Sequence, residues 1–183
     1  RHAEEMLKYD YHSHWNMAGL KPYMRYTLAE GTGCVRENIA RHDVYGGAIS
    51  DPKDVIKRLE YSMMYEDEAW DWGHRNTILD KWNNKVNIGI AYDSDSLILV
   101  QDFERDHIIW EKPVTYKDGI LSLKGKNTLG TIYNIAIYYD PPPEPLTKEQ
   151  LSKPPYNGAY SLGEEVGYIL GQSYYMVGVD YVH

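Results

Sequence analysis

An α+β fold follows from three features of this sequence. Apolar residues recur at helical spacing over roughly the first 80 positions. Near residue 86 the pattern switches to strict alternation, the signature of a half-buried strand. After about residue 107 only short strand-like runs and turn residues remain. Helices followed by an antiparallel hairpin suggest a sheet covered by helices, with a small β-rich, sandwich-like unit behind it. The division is expected at 1–107 and 108–183, the second part small for a sandwich and read as incomplete at His183.

Each element has a local reason. Ala3, Met6, Leu7 and Tyr11 make one stripe of a helix over 3–11. His12 to Asn16 leaves it, and Gly19 and Pro22 mark a loop. Glu30-Gly31-Thr32-Gly33 is a turn. Asp51-Pro52 starts a helix, with a capping carboxylate before Pro at the first helical position. Val55, Ile56, Leu59 and Met63 supply its apolar stripe, and Ile78 and Leu79 that of a shorter helix opening at Trp72-Gly73-His74-Arg75. Val86, Ile88, Ile90 and Tyr92 alternate with small or polar residues, Asp93 to Ser96 turns, and Leu97 to Phe103 returns. Strands are expected at 114–116, 120–123, 131–139 and 165–182, with turns at Asp118-Gly119 and Gly125. Asp140 to Pro145 reads as a stiff connector and Leu146–Leu151 as one helical turn.

Composition narrows the function. A net charge of −8 without a Lys/Arg cluster argues against nucleic-acid binding. No apolar run approaches the roughly 18 residues of a membrane-spanning helix. The single cysteine, Cys34, excludes an internal disulfide and a Cys-based zinc cluster, and reads as a small buried thiol. Eighteen Tyr stand against one Phe, Phe103. About half of them follow residue 110, so the Tyr excess is assigned to the β-rich unit rather than to a site. The chain opens at Arg1, in helix, with no signal peptide in view, like a piece of a longer product.

Four places hold groups suited to chemistry: His14, Glu37, the acidic run Glu66-Asp67-Glu68, and His74. Spacing alone makes them a weak metal signal, since none forms the i, i+4 pattern of a helical motif. Asp93 and Asp95 lack the glycine and glutamate of a calcium loop and read as an ordinary turn.

The flanking words carry more. Ser13-His14-Trp15-Asn16, Gly19, Pro22 and Arg25, Glu37-Asn38-Ile39-Ala40, Gly73-His74-Arg75-Asn76-Thr77-Ile78-Leu79, Val86 to Ala91 and Val100-Gln101-Asp102-Phe103 follow one another in this order. The set resembles the CAP superfamily of cysteine-rich secretory proteins, antigen 5 and class 1 pathogenesis-related proteins. The resemblance covers about residues 1–105 and is closest to the disulfide-free prokaryotic SCP-like branch. It implies an α-β-α sandwich, here without the family's usual first helix, and a cleft with two His and two acids.

Matched by motif, these are His14, Glu37, His74 and an acid ending the preceding helix, Asp67 or alternatively Glu66. His12 competes with His14, which sits better against Gly19 and Arg25. The resemblance implies a secreted or cell-surface protein. Its tetrad would hold a divalent metal, zinc above others, with positions left for water or a ligand. The ligand would be an extracellular small molecule, a peptide or a cell-envelope component. Metal-free, the same groups make two His–carboxylate acid/base pairs. Arg25, Arg75, Trp15 and Trp72 flank the histidines as candidate ligand contacts, with salt bridging and aromatic packing as the simpler roles. A metal-assisted hydrolase of peptide or envelope material and a structural subunit of an extracellular assembly are the alternatives, and a homo-oligomer or such an assembly is the expected association.

Overall fold

The first expected helix forms over His2–Tyr9 (α1) and ends where Asp10 turns left-handed, with φ 52°. Its buried stripe is Ala3 and Met6, as the spacing requires. The computed structural model describes residues 1–170. Pro22 does not mark a loop but opens a second helix, Pro22–Leu28 (α2). Proline suits that position because its missing N–H would have no partner there. Asp51 caps α3, Pro52–Tyr65, by accepting from the backbone N–H of Lys53. Gly73–Ile78 is α4.

A strand that the hydrophobic pattern hides runs over Cys34–Asp43 (β1). It pairs antiparallel with the return strand of the expected hairpin, formed by Lys85–Tyr92 (β2) and Ser96–Arg105 (β3). The order is β1-β3-β2, so among the described residues β1 and β2 are the edges. Helices pack on both faces. Ile39, Ala91, Ile98 and Val100 meet Ala3 and Met6 of α1 on one face. Leu97 and Leu99 meet Leu59 and Met63 of α3 on the other, with Ile78 of α4 alongside.

The chain divides into two units. The first comprises Arg1–Asp106 and Pro143–Tyr160; the second holds the rest. This differs from the expected single boundary at 107/108: residues 143–160 return to the first unit. The reason is burial. Leu146 and Leu151 enter the same core as Ile39 and Ile98, and Tyr156 and Tyr160 pack beside it. The Leu146 N–H donates to the Met17 carbonyl at 2.8 Å, and the Ser13 hydroxyl to the Tyr156 carbonyl at 2.6 Å. Thr147 closes a capping box with Gln150 around a short helix, Lys148–Leu151 (α5).

Among the described residues the second unit contains two separate antiparallel pairs. Ile108–Lys117 (β4) pairs with Ile120–Asn127 (β5) through Asp118-Gly119, both at positive φ as a two-residue hairpin turn demands. Asn134–Tyr139 (β6) pairs with Glu164–Leu170 (β7), strands that flank the excursion into the first unit. The strand expected at 165–182 is found as far as Leu170; its remainder lies outside the described residues. Mixed helix and antiparallel sheet thus stands as the fold class. Among the described residues no helix is long and apolar enough to cross a membrane.

Gly19 shows how closely the returning segment lies. Its φ is +76°, and a Cβ there would sit 2.1 Å from the Glu144 carbonyl oxygen. Backbone cannot yield as a side-chain tip can. Gly19→Ala is therefore expected to destabilise the first unit by about 1–3 kcal/mol, measured as a lower urea midpoint at unchanged m-value.

Candidate functional site

Successive residues of a strand point to opposite faces. Glu37 and Asn38 of β1 use this to hold two loops. Glu37 is buried on the α1 face. Its Oε1 lies 2.9 Å from His14 Nδ1, and its Oε2 pairs with the Arg25 guanidinium. Arg25 Nη1 also donates to the carbonyls of His14 (2.7 Å) and Leu20 (2.9 Å). The donors of Arg25 thus brace the His14 loop and hold Glu37, which leaves little of it for a ligand. Burial alone would raise the Glu37 pKa. The His14 hydrogen bond and the Arg25 charge outweigh it and bring the pKa below the ordinary value.

Asn38 faces the other way. Its side-chain amide donates to the His74 backbone carbonyl at 3.1 Å. The His74 ring is anchored by Asp67, whose Oδ1 lies 2.6 Å from Nδ1. Asp67 Oδ2 accepts from the backbone N–H groups of His74 (2.8 Å) and Arg75 (3.1 Å), near the start of α4. Asp67 is 2 % exposed, whereas Glu66 is exposed. Of the two acids left open by the sequence, Asp67 is the partner of His74.

The four expected residues thus form two pairs of one kind. In each, Nδ1 faces a carboxylate oxygen, which can only accept, so Nδ1 carries the proton and, in the neutral imidazole, Nε2 has the lone pair. Among the described residues no group of three or more His, Cys, Asp and Glu side chains is placed to hold a metal ion. The arrangement departs from four direct ligands because both carboxylates are spent on their own imidazoles.

His12 is the near neighbour of both pairs. The residue as a whole is exposed, but its imidazole is crowded, and this crowding together with the charges of His14, Arg41 and His74 lowers its pKa. Trp15 is buried and packs edge-on against Tyr156, with ring centroids 5.4 Å apart; it belongs to the core rather than to a groove. Arg75 lies over the Trp72 ring, 5.3 Å from its centroid. Trp70, 65 % exposed, meets the His74 ring edge-on. Cys34 is exposed, not buried as expected. Asp93 is the turn residue expected, accepting from the N–H groups of Asp95 and Ser96.

Two residues at the site escape sequence reading. Tyr160 arrives with the returning segment. Its hydroxyl accepts from the Glu37 N–H at 3.3 Å, and its ring meets His14 edge-on, centroids 5.0 Å apart. The Tyr excess therefore does not belong to the β-rich unit alone. Asp102 lies directly opposite Glu37 on β3. Its Oδ1 is buried without a hydrogen-bond partner among the described residues. Burial, then the Glu37 charge, pushes its pKa up to about 7. Tyr160 has no local motif; Asp102 stands in the word Val100-Gln101-Asp102-Phe103, but only the cross-strand register sets it against Glu37. Comparison with protein-family models, curated proteins and solved structures finds no match to this chain.

Arg25→Ala leaves Glu37 as a buried charge short of its cation. At pH 7 the loss in unfolding free energy is expected to be ~3 kcal/mol. The lowered native pKa of Glu37 contributes stability above the unfolded value, near 4.5, that disappears as pH falls through the native value. The gap between wild type and variant should accordingly narrow in urea titrations carried below pH 4.

Asp102 has the opposite sign. Its native pKa lies above the ordinary 3.8, so its contribution is complete below that pH and is lost as pH rises through about 7. Asp102→Asn should match wild type near pH 3.5. At pH 8 it should be more stable by roughly 2–4 kcal/mol.

Proposed function

We propose that this chain is a secreted or cell-surface binding protein of the CAP type, with a cleft that takes a divalent metal, zinc above others, together with an extracellular ligand. The observation that carries the reading is the shared state of His14 and His74: each is fixed through Nδ1 by a buried carboxylate, with Nε2 left as the donor. Metal-binding histidines characteristically have this outer carboxylate partner, which sets tautomer and ring orientation. His14 and His74 would hold the ion, while Glu37 and Asp67 act from behind them rather than as ligands. Two imidazoles fewer than fill a tetrahedral ion, so positions remain for water or an incoming group.

The layering favours the same reading. Helices on both faces of a three-stranded antiparallel sheet suit a CAP-type sandwich. The segment 143–160 adds Leu146 and Leu151 to the core of this unit. Trp70, exposed beside His74, and Trp72 with Arg75 offer aromatic and cationic contacts for the ligand.

Calorimetric titration with zinc decides the matter. Wild type should bind with a defined stoichiometry, and His14→Ala with His74→Ala should abolish binding. Glu37→Gln should weaken it by about 10–100-fold, as loss of an outer partner does. Equal binding by wild type and the double variant would remove the metal site. Chelator-sensitive turnover of peptide or envelope substrates would replace binding with hydrolysis.

A further inference from the structure

The two edges of the three-stranded sheet are built differently. β1 carries Arg36, Glu37, Arg41, His42 and Asp43, charges and imidazole that discourage pairing with another strand. β2 carries one charge, Lys85, at its very start. Its even-numbered residues form an uncovered apolar row: Val86 (46 % exposed), Ile88 (59 %), Ile90 (44 %) and Tyr92 (56 %). These lie on the same face as Leu97 and Leu99, since paired residues share a face. There α3 covers Leu97 and Leu99 but leaves the β2 row open. Among the described residues no strand lies on the outer side of β2. A regular edge strand with four exposed apolar side chains in one row is what proteins ordinarily blunt.

We propose that β2 is a pairing edge for a second copy of this chain, joined antiparallel about a two-fold axis at Gly89 into a continuous six-stranded sheet. The strand complements itself. In the register centred on Gly89, Ile88 faces Ile90 of the other copy and Val86 faces Tyr92. No other centre sets all four apolar residues against apolar partners. Lys85 then stands opposite Asp93 at each end, one positive against one negative. Lys85 already pairs with Asp106 of its own chain, but an ammonium has three donors. Directly opposed residues have the same parity, so their outward N–H and C=O groups meet in register. The contact is isologous and closed, with no further edge of the same kind left to propagate it. It is independent of the His–carboxylate pairs and of the metal reading.

Sedimentation equilibrium of the full chain tests it. Wild type should weigh twice 21.2 kDa at tens of micromolar and dissociate on dilution. Ile88→Lys and Ile90→Lys, both at exposed positions, should each shift dissociation to at least tenfold higher concentration with an unchanged circular dichroism spectrum. The register is tested separately. Ile88→Cys with Ile90→Cys, in a Cys34→Ser background, should give a disulfide-linked dimer on mild oxidation. A wild type that stays monomeric at several hundred micromolar overturns the proposal. So does a dimer that both lysine variants leave intact, or one that the paired cysteines fail to cross-link.

Discussion

Glu37 is a buried carboxylate with an imidazole on one oxygen and a guanidinium on the other, and much of the first unit is arranged to keep it so. A lone buried charge would be costly to keep. Arg25 offsets that cost and at the same moment ties down the carbonyls of His14 and Leu20. Tyr160 satisfies the outward N–H of Glu37 on an edge strand that has no neighbour there among the described residues. The next residue, Asn38, points to the opposite face and holds the His74 carbonyl. A dipeptide on one strand thereby holds two loops, that of His14 through Glu37 and that of His74 through Asn38.

This also explains which parts could be read from sequence. The β2–β3 hairpin announces itself because its alternation is unbroken and Asp93 to Ser96 have turn chemistry. α3 announces itself through Asp51-Pro52. β1 stays silent because the residues that serve the site interrupt its pattern. Where an apolar residue should alternate with Val35 and Ile39 there stands Glu37, and Arg41 follows. α2 is hidden similarly, since its opening Pro22 is equally at home in a loop. The candidate residues were legible as words flanking His14, Glu37 and His74. Their pairing was not, because a carboxylate beside a histidine in space leaves no trace in spacing.

The returning segment marks a second limit. Pro143–Tyr160 is separated by the strands β4, β5 and β6 from the core that it completes. Its own signals, a proline run and one helical turn, say connector. Only Leu146 and Leu151 hint otherwise, and two leucines in a polar stretch do not identify their destination. Local pattern reports which residues want burial; the partner is set by chain path. The same holds for Asp102, whose raised pKa arises from the residue paired across the strand rather than from its own neighbours.

The His74 loop shows how this site keeps its shape. Asp71 and Trp72 both adopt left-handed backbone, at φ 52° and 58°, which costs a non-glycine residue about 1 kcal/mol or more. The return comes through Asp67. Its carbonyl accepts from the N–H groups of Trp70 and Trp72, and its carboxylate from those of His74 and Arg75 and from the His74 ring. A shorter turn without the two strained residues would present the N–H of α4 elsewhere and free the imidazole to rotate. The strain is thus bound to the orientation of one ring nitrogen. Because Asp67 is buried, water does not compete for these bonds, and the ring stays oriented. Position 67 serves these bonds because its carboxylate is buried, whereas Glu66 beside it is exposed.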